Sequence, residues 1–90
     1  MEQRARSPLR VGTVESRLHV VLAARRRRVT PAAREAGLSP SSAQALAGGR
    51  QTRVDLDVLA RWCALLGCEV ADLLVYVPPA EVERESAAAR

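Results

Sequence analysis

Apolar residues recur along this chain in short blocks, each closed by glycine, proline or a polar turn. Val14, Leu18, Val21 and Leu22 fall at helical spacing and predict a first helix over residues 15–27, with Thr13 as its N-cap. A short second helix is expected between Val29 and Ala36. Either Thr30 caps it with Pro31 at its first position, or it starts at Val29 with Pro31 in its first turn. Gly37 ends it in a left-handed residue, Leu38 turns inward, and Ser39 caps a third helix that begins on Pro40. That helix stops near Ala47, before Gly48-Gly49. Asp55 or Thr52 opens a fourth, in which Leu56, Leu59, Ala60, Cys63 and Leu66 form a stripe ending at Gly67. Trp62 lies off this stripe, facing the tail or a second subunit. Glu69 to Leu74 carries a short fifth helix with Val70, Leu73 and Leu74 inward. Val75-Tyr76-Val77 is β-prone and breaks at Pro78-Pro79, and residues 80–90 form a frayed helix or remain disordered.

Composition adds a size limit and a charge gradient. Ninety residues make one small domain, expected over residues 13–77, with a flexible basic arm at 1–12 and a tail at 78–90. Trp62 and Tyr76 are the only aromatic residues, so the core must come from Leu, Val and Ala, which suits an all-α bundle. All fourteen basic residues are Arg, and the net charge is +4. Residues 1–28 hold eight Arg against Glu2 and Glu15, whereas the tail sets Glu81, Glu83 and Glu85 against Arg84 and Arg90. A basic half points to a polyanionic partner, most commonly nucleic acid. No apolar run is long enough to span a membrane, and the basic N-terminus lacks an apolar signal region. A cytoplasmic, nucleoid-associated chain is the resulting expectation.

Catalysis finds little support. There is no Ser/His/Asp arrangement, no glycine-rich phosphate loop and no cluster of metal ligands. Cys63 and Cys68 lack the paired spacing of a zinc site, His19 is the lone histidine, and both cysteines read as small, partly buried apolar residues. Asp55 and Asp57 are explained by capping and the helix dipole. No enzyme activity, metal or cofactor is expected.

From Arg17 to Leu74 the chain resembles the lambda-repressor/Cro-like helix-turn-helix family, also called the XRE family. The resemblance rests on Arg17-Leu18, Ala33-Arg34-Glu35-Ala36-Gly37-Leu38-Ser39, Leu46 and Gly49-Arg50. It continues through Arg53-Val54-Asp55-Leu56-Asp57-Val58-Leu59-Ala60-Arg61, Leu66-Gly67 and Val70-Ala71-Asp72-Leu73-Leu74. It implies a five-helix bundle and a bacterial DNA-binding transcriptional regulator whose third helix, about residues 40–47, enters the major groove of double-stranded DNA. Carried over by position, Pro40, Ser41 and Ala45 would face base edges, with Gln44 nearby. Ser39, Ser42, Arg50 and Arg53 would contact phosphates. Arg25, Arg26, Arg27 and Arg28 could add phosphate contacts, and the arm through Arg4, Arg6 and Arg10 could reach a minor groove. The resemblance further implies a homodimer, for which Trp62, the fifth helix, Val75, Tyr76 and Val77 are candidates. A cover over the core is the competing role for Val75 to Val77.

The chain also departs from that family's pattern. Pro40 and Ala45 stand where members usually carry long polar side chains, and neither makes a bidentate base contact. Ala43 replaces a β-branched anchor, and Arg28-Val29 replaces the usual Thr-Gln opening of the second helix. A bland third helix also suits a scaffold turned to protein binding, antitoxin-like or regulating another DNA-binding protein or a polymerase.

Overall fold

The computed structural model describes residues 9–88. Along them run β1 (Thr13–Ser16), α1 (Leu18–Ala24), α2 (Val29–Glu35), α3 (Pro40–Ala47), α4 (Leu56–Leu66), α5 (Val70–Leu73), β2 (Leu74–Val77) and α6 (Pro79–Ala88). The fold is thus mostly helical, with six helices among the described residues rather than five. The extra one is α6, in the segment expected to fray. Arg4 and Arg6 of the expected arm lie outside the described residues.

The first expected helix divides into a strand and a shorter helix. Thr13 is no cap; it opens β1, which pairs antiparallel with β2 in the register Thr13↔Val77, Val14↔Tyr76, Glu15↔Val75 and Ser16↔Leu74. Val14 therefore leaves the core and is 65 % exposed. Two β-branched residues, Thr13 and Val14, favour an extended chain once a partner strand is present. Gly12 permits the approach. A Cβ there would sit 1.8 Å from the Val77 carbonyl oxygen, and the Gly12 amide donates to the Tyr76 hydroxyl at 3.0 Å. β2 thus finds its partner within the chain, and Val77 is buried beneath it.

The core forms where the helices meet. Leu18, Val21 and Leu22 of α1 pack with Ala32 and Ala33 of α2, Ala43 and Leu46 of α3, Leu59, Trp62 and Leu66 of α4, and Leu73 of α5. The buried face of α4 differs from the expected stripe. Leu56 is 80 % exposed and Ala60 is also outside, whereas Trp62 is fully buried. Trp62 therefore cannot form a dimer surface, and neither can buried Val77. Alanines on α2 and α3 let these helices approach closely, and the large indole fills the space that small side chains leave. Its Nε1 is buried with no hydrogen-bond partner among the described residues. The packing of the ring must outweigh that unmet donor.

Four successive helices end in the same way. Arg27, Leu38, Arg50 and Cys68 each donate a backbone N–H to the carbonyl five residues earlier, on Leu22, Ala33, Ala45 and Cys63. The residue before each of these donors is left-handed: Arg26 at φ 56°, Gly37 at 76°, Gly49 at 73° and Gly67 at 62°. This closure satisfies terminal carbonyls and reverses the chain within two residues, which is how so short a sequence packs so many helices. Three positions use glycine, the residue that tolerates this conformation. The exception is Arg26, and it explains why α1 ends at Ala24 and not at Arg27.

Two substitutions test this packing by urea unfolding followed by helical circular dichroism. Trp62→Ala should cost about 3–5 kcal/mol and leave the domain largely unfolded at room temperature. Arg26→Gly should raise stability by roughly 0.5–1 kcal/mol, as relief of the left-handed penalty exceeds the added chain entropy of glycine. Destabilisation by Arg26→Gly would show that the guanidinium, not the backbone, governs that turn.

Candidate nucleic-acid interface

Helix α3 carries the centre of the candidate surface. Ser39 precedes it in extended geometry, and its hydroxyl accepts the Ser42 amide at 3.4 Å and lies 3.0 Å from the Ser41 hydroxyl. Pro40 occupies the first turn, where no amide is needed. Ala43 and Leu46 point into the core, and Ser41, Ser42 and Gln44 are exposed. Pro40 and Ala45 are half-buried beside them.

Gln44 is the one long polar side chain on this helix, and it is tethered. Its Nε2 donates to the Thr30 hydroxyl at 3.2 Å. Thr30 lies within α2, which starts at Val29 with Pro31 in its first turn and Arg28 as its cap residue. Thr30 is therefore free of capping duty and positions the α3 side chain instead. One amide N–H and the carbonyl oxygen of Gln44 remain for another partner.

The flanking arginines divide into tied and untied. Arg25 donates from Nε to the Leu66 carbonyl at 2.6 Å, binding the end of α1 to the end of α4. Arg27 pairs with Glu35 at 2.7 Å. Both expected phosphate contacts are thus engaged within the fold. Arg26 and Arg28 are exposed, and among the described residues neither has a carboxylate partner. Arg53 is exposed at the α3–α4 loop. Arg50 is exposed too, but its guanidinium folds back over Gly48, where a Cβ would come within 2.5 Å of Nη1. That pose sets positive charge against the carbonyl end of α3. Arg10 pairs with Glu83 at 2.6 Å.

Residues 36–54, which contain all of α3 and the loop with Arg50 and Arg53, include no Asp or Glu. This segment therefore carries only positive charge, from Arg50 and Arg53, even though α3 itself bears none. A groove of ≈ 750 Å³ runs beside it, between β1 and the loop, lined by Glu15, His19, Gly48, Gly49, Thr52 and Arg53 among others.

One residue outside the expected set orients the turn. Arg61 on α4 donates from Nε to Asp57 at 2.9 Å and from Nη1 to the Ala36 carbonyl at 3.0 Å. Its guanidinium fills the space beside Gly37, where a Cβ would lie 2.9 Å from Nη1. The end of α2 is thus held to α4, and with it the angle at which α3 departs. The spacing of Asp57 and Arg61 suits an ion pair along a helix. The carbonyl contact across the fold has no local signature.

A family model for the Cro/C1-type helix-turn-helix DNA-binding domain matches residues 17–79. The chain belongs to that family. The match covers α1 to the start of α6, including the α2–turn–α3 unit just described. Among solved structures, the domain is similar to that of a candidate DNA-binding protein from Bacteroides fragilis, at 24% sequence identity and a TM-score of 0.61. The alignment covers 69% of this chain and 98% of that one. At this identity the likeness shows the fold. No curated protein sequence matches the chain significantly. Among the described residues no helix is long and apolar enough to cross a membrane, and no group of three or more His, Cys, Asp or Glu could hold a metal ion.

Arg61→Ala removes an exposed ion pair and a charged bond to a carbonyl, so a stability loss of about 1–2 kcal/mol is expected. Amide hydrogen exchange should accelerate at Gly37, Leu38 and the first turn of α3 more than in α1. Uniform acceleration across the domain would mean that Arg61 does not lock the turn specifically.

Proposed function

We propose that this domain is a transcriptional regulator that binds double-stranded DNA with α3 in the major groove. The observation that carries this reading is the carboxylate-free stretch around α3. It presents Ser41, Ser42 and Gln44 outward and places exposed Arg50 and Arg53 at the helix exit. Arg53, Arg26 and Arg28 would contact phosphates directly, and Arg50 after swinging off Gly48. Ser39 and Ser42 would add hydroxyl contacts at the start of the helix. Such contacts position the protein and make binding salt-dependent, without reading sequence.

Sequence reading would rest on few groups. Gln44, held by Thr30, retains one N–H and one carbonyl oxygen, the pair that matches the N7 and N6 edge of adenine. Ser41 offers a short, ambiguous donor and acceptor. Pro40 and Ala45 would contribute apolar contact, such as with a thymine methyl, and DNA shape would supply the remainder. Paired half-sites would call for two copies of the chain. With Trp62 and Val77 buried, the exposed Val14 and Tyr76 on the small sheet remain for such a contact. Nucleoid association would follow from this reading.

A second reading, protein recognition through the same face, is favoured by one feature. No charged side chain lies on α3 between Pro40 and Ala47. Salt titration on a duplex separates the two. In the DNA reading, Arg50→Ala with Arg53→Ala should flatten the log–log salt slope by about 1.8, at about 0.9 per lost phosphate contact. An unchanged slope would remove the two arginines from the interface and favour protein recognition. In selection from a random duplex library, Gln44→Ala should relax preference at one A·T pair by about 1–3 kcal/mol while the salt slope stays put.

A further inference from the structure

The turn between α4 and α5 brings the chain's two cysteines together. Cys63 lies in the last full turn of α4, and Cys68 follows left-handed Gly67. The Cys68 amide donates to the Cys63 carbonyl at 3.2 Å, and the Gly67 amide donates to the same oxygen at 2.8 Å. Standard bond lengths then hold the two Cα atoms within about 7 Å, and the bends at each atom bring them closer. Disulfides bridge Cα separations of about 4.4–6.8 Å. The helix ending also sets the side chains at its two positions against each other. Here those side chains are thiols. Both are partly exposed and both are free.

We propose that Cys63 and Cys68 form a reversible dithiol/disulfide site, reacting with a small-molecule disulfide of the glutathione class. The Cys63 thiolate, its proton given to water, attacks one sulfur of the oxidised reagent and releases one small thiolate. The Cys68 thiol loses its proton to water and attacks the Cys63 sulfur of the mixed disulfide, and the second small thiolate leaves. The chain loses two protons and two electrons; the electrons cleave the reagent's S–S bond, and its two thiolates take up protons from water to become two thiols. Burial first, then the neighbouring Cys63 thiol, push the Cys68 pKa up, which makes it the poorer first nucleophile and leaves it the second step, where proximity to the mixed disulfide offsets its smaller thiolate fraction. Arg25, bonded to the Leu66 carbonyl at 2.6 Å, holds the same helix end in place from α1. The two thiols are therefore presented by a closed turn and not by a mobile loop.

The test is oxidation of the full chain at micromolar concentration across a series of reduced-to-oxidised glutathione ratios, read by intact mass and thiol titration. The expected product is a monomer lighter by about two mass units, with both thiols lost in one transition and recovered on reduction. Cys63→Ser and Cys68→Ser should instead accumulate glutathione adducts. Their adduct level should exceed that of the wild type by roughly the ratio of the effective concentration of the second thiol to free reduced glutathione, about tenfold or more with the latter held at about 0.1 mM or below. Wild-type chain that collects adducts or cross-linked dimers to the level of either single variant overturns the proposal. Circular dichroism of both variants checks that serine leaves the helices intact.

Discussion

The fully buried indole of Trp62 is the contact on which this small fold depends. Around it the core offers leucines, valines and a set of alanines, with no phenylalanine anywhere in the chain. Alanine lets α2 and α3 approach closely but buries little apolar area, so these helices stabilise themselves poorly. A single large side chain from α4 supplies the missing volume at the point where all of them converge. The unpaired Nε1 is accepted because no other residue in this sequence could fill that space. The outward face of α3 follows from this arrangement. With Ala43 and Leu46 buried, Ser41, Ser42 and Gln44 are left exposed around the rest of the helix.

Positioning of the candidate surface then depends on ends and turns more than on helix interiors. Left-handed residues close α1, α2, α3 and α4 in the same geometry, and each closure aims the next helix. Arg61 adds a restraint at the second of them by binding the Ala36 carbonyl. Arg25 adds another by joining the ends of α1 and α4. Arginine in this protein thus has two occupations. Arg25 and Arg61 complete helix ends inside the fold, whereas Arg50 and Arg53 supply exposed charge at the exit of α3.

Much of this was legible along the chain. The boundaries of α3, its Ser39 cap and its Gly48-Gly49 exit follow from residue types whose preferences act over one turn. The glycine turns after α2 and α4 follow for the same reason. Errors arose where a distant partner changed the outcome. Val14 and Leu18 share a helical spacing, yet β2 draws Thr13 to Ser16 into a strand sixty residues away in the register Val14↔Tyr76. The Leu56, Leu59 and Ala60 spacing suggests a face that leaves Trp62 out, yet Leu59, Trp62 and Leu66 also recur at intervals of three and four, and these are the residues buried. Within the candidate site, Gln44 and the exposed arginines were readable as types. The Thr30 tether and the internal contacts of Arg25 and Arg27 were not.

The sequence by itself determined the helix-turn-helix order, the capped α3 and the absence of carboxylates from residues 36–54. Those features are set by local backbone preferences and by the list of residues. Tertiary structure alone decided which face of α4 meets the core, that β1 exists, and which arginines bond within the fold. Each of these depends on contacts between residues far apart in the chain, where the competing local preferences differ by less than the free energy of packing.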